Sequence, residues 1–333
     1  MNPENIKVLF LAKYAPTTVD EKIPNDIIDK SYAEYHHMIF NILIELFPSL
    51  ISTNDSDYIM KNKPDVDFIF SLLNRMPFRN SEIFISAVAE YYSLPYLGAR
   101  PNIRALAEDK HLAKMMACYA NVPTPKWKVY DVGQVIIAPD FKPPYFVKPR
   151  FGAASEGIDE RSICSSWDEA QYKIQVLHKN NIDALLEEQI IGVYHTNPVL
   201  NNFGNPLLLP CISQHSNKIG GVVTYKQKRS IIGGLNRLIQ NDKQIEQEIH
   251  HYSKTMLELI QPLDYTRFDY IVDNEKRIPY FLEFNVCCNL GHKSTINQAA
   301  KHIGINYKNL IESITYSSMY RNGIIKSDFG KKL

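Results

Sequence analysis

Residues 266–289, TRFDYIVDNEKRIPYFLEFNVCCN, leave little freedom in how the chain can run. Two stretches of alternating apolar and polar residues flank DNEKR, whose Asp and Asn favour a tight connection, so the segment reads as an antiparallel hairpin over about 265–286. Centred near Lys276, it sets Asp269 opposite Glu283 and Arg267 opposite Asn285. Side chains alternate across a strand, so these four share one face, while Phe268, Tyr270, Leu282 and Phe284 take the other. Two carboxylates directly opposed repel each other unless a cation sits between them. Oxygen ligands suit Mg2+, which takes one or two carboxylates together with substrate phosphates. A solvated sheet face with splayed carboxylates is the other reading of the same pattern.

The N-terminal third alternates strand-like and helix-like runs. KVLFLA (7–12) and DFIFSLLN (67–74) are short enough for buried strands, and residues 26–47 and 81–92 carry apolar positions at helical spacing. That alternation predicts a parallel sheet covered on both faces, with LPYLGA (94–99) as a further strand end. Asn102 is placed to cap a helix to about Tyr119, which VPTP (122–125) stops. Then come a strand (PYFVKP), a Gly-rich loop (RFGAASEG), a helix (SWDEAQYKIQVLHK) and a strand (DALLEEQII). The last third adds strands, a helix at about 242–260, the hairpin and terminal helices. The α/β and α+β layout divides into three parts, 1–121, 122–195 and 196–333, where length alone favours about two.

Composition excludes several classes. With 45% hydrophobic and 22% charged residues the chain is neither disordered nor fibrous. A net charge of +1 gives no overall basic field for nucleic acid or an anionic membrane. The longest apolar stretch, HMIFNILIELF (37–47), falls short of the ~18 residues a membrane span needs. The opening MNPENIKVLFLAKYAP reads as a first strand, not a signal peptide. Five cysteines, an odd number with no CxxC pair, predict a reduced, cytoplasmic protein.

Other candidates for chemistry are weaker taken singly. In YFVKPRFGAASEGI (145–158) a strand ends in Lys148 and leads into small residues that let backbone amides approach an anion, yet neither a P-loop nor a GxGxxG pattern is present. ALLEEQIIG (184–192) ends an apolar run in two glutamates, which could meet an adenine amine or simply be solvated. Residues 108–110 and Lys114 read as the wet face of a helix. The adjacent histidines, His36/His37 and His250/His251, point too far apart on a helix to grip one metal together, and vicinal Cys287 and Cys288 read as packing residues. No GxSxG or Cys–His arrangement supports nucleophilic hydrolysis.

Taken in order, LPYLGA…NIRALAEDKHLAK (94–114), VPTPKW (122–127), FVKPRFGAASEGI, ALLEEQIIG, TYKQKRS (224–230) and RFDYIVD…FLEFNVCCNLGHKS (267–294) resemble the ATP-grasp superfamily, and within it the D-alanine–D-alanine ligase branch, over about 90–330. The resemblance implies an ATP-grasp fold of three domains with ATP clamped between the central and C-terminal ones. It implies phosphate contacts from Lys110 and Lys148, a flap at 150–157 with Ser155 and Gly157, and an adenine hinge at Glu187, Glu188 and Ile190. Lys228 matches a lysine that reaches the γ-phosphate from a mobile loop at about 216–240. Asp269, Glu283 and Asn285 match Mg2+ ligands, with Mn2+ as a substitute, and Arg267 matches the arginine that stabilises the tetrahedral intermediate. Asn289 and Ser294 fall where the family holds substrate carboxylates. Small-molecule carboxylate and amine substrates and a homodimer are implied as well.

Two segments depart from the family. AKYAPTTVDEK stands where members carry a Gly-rich turn and a glutamate for the first substrate's ammonium, and LLNRMPFRNSE (72–82) replaces a second recognition motif. Asn74, Arg75, Arg79 and Glu82 are the candidates to replace that clamp, and Tyr194 stands where a carboxylate usually meets the ribose. The function expected is an ADP-forming carboxylate–amine ligase making an amide or dipeptide through an acylphosphate, in natural-product or other specialised biosynthesis, with cell-wall D-alanine–D-alanine coupling as an alternative. A small-molecule kinase and a nucleotide-binding protein with a dead site are the alternatives.

Overall fold

A computed structural model describes residues 3–24, 27, 30–74, 76, 78, 81–152, 157–215 and 236–326. Near the N-terminus β1 (Val8–Leu11) lies between β2 (Leu50–Thr53) and β3 (Phe68–Ser71) in a parallel sheet. Helices α1 (Lys30–Leu46), α2 (Tyr58–Asn62) and α3 (Phe84–Tyr91) cover it. Val8 and Phe10 pack with Ile39, Phe40 and Leu43 of α1, while Leu9 and Leu11 pack with Ile59 of α2 and Ile85 and Ala89 of α3. Both faces are covered, so the strands are continuous apolar runs. β2 is a half-buried edge strand of four residues with no periodic signal of its own.

The single helix expected at 102–119 is two, α4 (Pro101–Glu108) and α5 (Lys110–Tyr119). The first begins after Arg100 with Pro101 in its opening turn, not at an Asn102 cap. Asp109 breaks the run because its carboxylate has other work. It accepts from the His111 amide, capping α5, and from Arg150 at 3.0 and 2.7 Å. Arg150 opens the Gly-rich loop, so this ion pair fastens the loop to the helix junction.

The central sheet runs β4 (Trp127–Tyr130), β7 (Ala184–Glu188), β5 (Tyr145–Pro149), β6 (Ile163–Cys164). Helix α6 (Trp167–Lys179), capped by Ser166, packs Ala170, Ile174 and Leu177 against Tyr145, Val147 and Leu186. The third sheet holds β8 (Gly192–Asn202), β9 (Asn205–Leu208), β10 (Ile212–His215), β11 (Asn236–Ile239), β12 (Tyr265–Asp273) and β13 (Pro279–Asn285), in the order β11-β10-β8-β12-β13 with β9 on β8. β8 runs unbroken through the division expected after residue 195. Helix α7 (Lys243–Ile260) covers one face of this sheet. Helices α8 (Thr295–His302) and α9 (Tyr307–Arg321) return to the N-terminal layer, where Ile296, Leu310 and Ile314 share a core with α1 and β1. No described helix is long and apolar enough to cross a membrane.

The hairpin has the expected register at its business end: Arg267 pairs with Asn285, and Asp269 with Glu283. A bulge follows Asp269, so Tyr270 pairs with Phe281 rather than Leu282. The buried aromatic face is therefore Phe268, Tyr270, Phe281 and Phe284, and Leu282 is only half-buried.

Candidate active site

The central sheet brings three charged side chains into its interior. Lys148, next to last on β5, donates to Glu187 Oε1 on β7 at 2.7 Å. Lys114, on α5, is fully buried, not on a wet face; its ammonium lies 2.9 Å from Glu187 Oε2 and donates to Thr124 Oγ1 at 2.8 Å. Burial pulls the Lys114 ammonium down to about 8, with Glu187 opposing that and Lys148 adding to it. Burial works to raise the Glu187 carboxyl, but the two ammoniums overcome it and hold it below its ordinary value. Lys110, one turn before Lys114, is buried too and donates to the Gly152 carbonyl at the start of the loop. Two cations against one anion leave the Lys114–Glu187–Lys148 group with a surplus positive charge, which suits a phosphate.

The loop needs its glycines. Gly152 and Gly157 have positive φ, and a Cβ on Gly157 would lie 2.6 Å from the Pro149 ring. Ser155 lies outside the described residues, as do Arg75, Arg79 and Lys228. At the end of β7 the amides of Glu188 and Gln189 donate to the Lys126 and Pro144 carbonyls. The next amide along, that of Ile190, has no acceptor among the described hydrogen bonds. Glu187 Oε2 is buried and lies 2.9 Å from the Lys114 ammonium. The Ile190 amide thus offers a donor at this strand end, one half of the pair an adenine edge requires.

Tyr194 of β8 stands between the two halves of the site. Burial raises its phenol, and Glu187 on one side and Glu283 on the other add to the effect, so it remains a neutral hydroxyl. On the hairpin, Asp269 Oδ1 accepts from Thr196 at 2.8 Å, and Oδ2 accepts from Arg267 at 3.1 Å and Asn285 at 3.2 Å. Asp269, Glu283 and Asn285 thus gather oxygen donors from two neighbouring strands on one face, a set of the kind a hard divalent cation takes.

Arg237 was not legible as a site residue. It lies on β11, paired with Gln214, which in turn donates to Thr196. Its guanidinium donates to the Lys293 carbonyl at 3.0 Å, just before the Ser294 that caps α8. Burial and the nearby Arg267 depress its pKa, while Asp269 opposes them. The Nε atoms of Arg237 and Arg267 are both buried without a hydrogen-bond partner, so two guanidiniums with spare donors converge near one aspartate. Asn289 and Ser294 lie at the same corner, Asn289 accepting from Gly291 N and Ser294 from Asn297 N.

The N-terminal candidates are engaged with the chain itself. Asn74 donates to the Cys287 carbonyl at 3.3 Å, and the buried Arg104 donates to Cys287 Sγ at 2.8 Å and to the Glu82 carbonyl at 3.4 Å. Glu82 is buried beside them, its amide donating to Glu108. Arg104 is thus a second residue of this region that the sequence pattern did not single out.

A lysine-lined central sheet together with a carboxylate hairpin defines an ATP-grasp carboxylate–amine ligase, an enzyme that forms C–N bonds. The family model described as D-ala D-ala ligase C-terminus matches residues 117–316, and the chain belongs to that family. It is 26% identical over 250 residues to a D-alanine–D-alanine ligase of Maridesulfovibrio salexigens, covering 74% of this chain and 79% of that one. It is 25% identical over 247 residues to D-alanine–D-alanine ligase B of Clostridium perfringens, covering 71% and 76%. The fold matches the crystal structure of Bacillus anthracis D-alanine–D-alanine ligase complexed with ATP, with a TM-score of 0.74 at 17% identity over 96% of this chain and 99% of that chain.

Proposed function

We propose that the chain joins two amino acids through an acylphosphate with release of ADP, and that D-alanyl-D-alanine is the first product to test. The relatives named as D-alanine–D-alanine ligases support that product. The observation that carries the chemistry is the opposed Asp269/Glu283 pair flanked by Arg267 and Asn285, across from the buried lysines. Asp269, Glu283 and Asn285 would hold Mg2+, which supplies charge neutralisation on the transferring phosphoryl group. Lys148 and Lys110 would bind phosphate oxygens and orient them toward the attacking carboxylate. Arg267, held by Asp269, would meet the oxyanion that develops when the amine attacks. Tyr194 would offer a hydroxyl to the ribose.

A second reading, an amide from another pair of substrates, rests on the Asn74–Cys287–Arg104–Glu82 network. It fills the region where the amino-acid clamp was expected with contacts of the chain's own, the buried Arg104 guanidinium being spent on the Leu97, Ala99 and Glu82 carbonyls and Cys287 Sγ, so a first substrate other than D-alanine would be held differently there. ADP release with D-alanine alone, then with a panel of amino acids, hydroxy acids and dicarboxylates, separates the two when products are identified by mass. The highest kcat/KM on D-alanine supports the first reading; a higher value on any other pair overturns it for the second. Stable phosphorylated products without amide would refute both.

A further inference from the structure

On the opposite face of the C-terminal sheet the described residues assemble a second set of metal-ligand side chains. Cys211 lies immediately before β10, and Glu246 and His250 stand one turn apart on α7. A ligand atom from each, the thiol sulfur, a carboxylate oxygen and a ring nitrogen, lies within 4.8 Å of the other two. Cys211 is fully buried while Glu246 and His250 are half-buried, so an ion could reach the group from the helix side. Outer contacts orient two of the ligands. The Cys211 amide donates to Glu246 Oε1 at 3.2 Å, and His250 Nε2 lies 3.1 Å from the Leu209 carbonyl, which also accepts from Asn197 at 2.8 Å. A carbonyl on one ring nitrogen is the contact that typically fixes a metal-bound histidine. The competing cation, Lys243, is 3.3 Å from Glu246 Oε2 but 80% exposed, and leaves at little cost.

We propose that Cys211, Glu246 and His250 bind a thiophilic divalent cation of the Zn2+ type, with water completing a tetrahedron. Binding forms a metal–sulfur bond and releases the thiol proton to solvent. Ligand softness separates this site from the hairpin: thiolate and imidazole select Zn2+ or Co2+, whereas the oxygen-only Asp269, Glu283 and Asn285 suit Mg2+. The Gln240 amide donates to the Cys211 carbonyl at 2.8 Å, so the ion would pin β10, β11 and α7 at one point. The site's role is to brace the sheet from behind.

The full chain, stripped with a chelator and held in excess Mg2+, is titrated with Zn2+ and separately with Co2+. One equivalent should bind, Zn2+ should raise the thermal midpoint, and the cobalt form should absorb in the near ultraviolet through thiolate-to-metal charge transfer. Cys211→Ser should abolish that absorption, and Cys211→Ser and His250→Gln should each weaken Zn2+ by at least about 100-fold. Glu283→Gln should leave binding unchanged. Melting of each metal-free variant checks folding; if Cys211→Ser fails it, His250→Gln and Glu246→Gln decide. No stoichiometric binding, a cobalt form lacking the thiolate band, or undiminished affinity in the folded variants would overturn the proposal.

Discussion

Lys114→Met deletes a charge while keeping most of the side chain's length and volume. In the folded chain that ammonium is fully buried, 2.9 Å from Glu187 Oε2 and 2.8 Å from Thr124 Oγ1, with the Pro125 carbonyl at 3.4 Å. Removing one member of a buried ion pair costs about 3–5 kcal/mol because the other charge remains buried. Lys148 keeps its 2.7 Å bond to Glu187 Oε1. The carboxylate therefore stays partly compensated, and the lower end, about 3 kcal/mol, is expected. A solvated helix lysine would give a change within about 0.5 kcal/mol. Urea unfolding of both proteins reads the difference. Nucleotide affinity provides a second readout, since the variant leaves Glu187 and Lys148 as a neutral pair with no surplus for phosphate. A calorimetric titration with a non-hydrolysable ATP analogue should show weaker binding, by less than the roughly 10- to 100-fold of a direct charge-assisted contact, because Lys114 acts only through the charge balance of the triad. A stability change below about 0.5 kcal/mol together with unaltered affinity would refute the buried-triad account.

Glu283→Gln removes one charge from the opposed pair at constant volume, so ADP formation should be lost while the thermal midpoint is kept; near-normal turnover would return the pair to a solvated sheet face. Lys148→Ala should weaken the ATP analogue by roughly 10- to 100-fold, and an unchanged dissociation constant would make it a strand-end residue only. Burial pulls His36 down to about 3 and His195 down to about 4, from an ordinary 6.5. Below 6.5 the unfolded chain therefore binds more protons than the folded one, and stability, full above that value, falls as pH drops toward the folded values. Each histidine should remove about 2 kcal/mol between pH 7 and pH 5, and His195→Gln should cut the combined loss by about half; equal stability of the wild-type protein at the two pH values, read by urea unfolding, would contradict this.

The hairpin and its four polar residues could be read directly from the chain because a strand's side-chain period is two and its turn is local. Arg267, Asp269, Glu283 and Asn285 therefore fell on one face without any knowledge of the rest. The same holds for β1, β3, β5, β7 and α7, whose apolar spacing and flanking breakers need no partner to be recognised. Burial of charge is different, since it depends on what distant segments bring. Lys114 sits at an ordinary helical position, and only the docking of α5 against β7 and the 124–125 turn gives it Glu187 and Thr124 as neighbours. Arg237 and Arg104 show the same dependence on tertiary structure: Arg237 reaches the Lys293 carbonyl 56 positions away, and Arg104, besides carbonyls nearer in the chain, reaches Cys287 183 positions away. The bulge after Asp269, which exchanges Leu282 for Phe281 in the core, answers to packing beneath α7 rather than to alternation. Local periodicity set the strands and the carboxylate pair; tertiary packing alone decided which charges are buried, because desolvation and pairing depend on contacts between segments far apart in the chain.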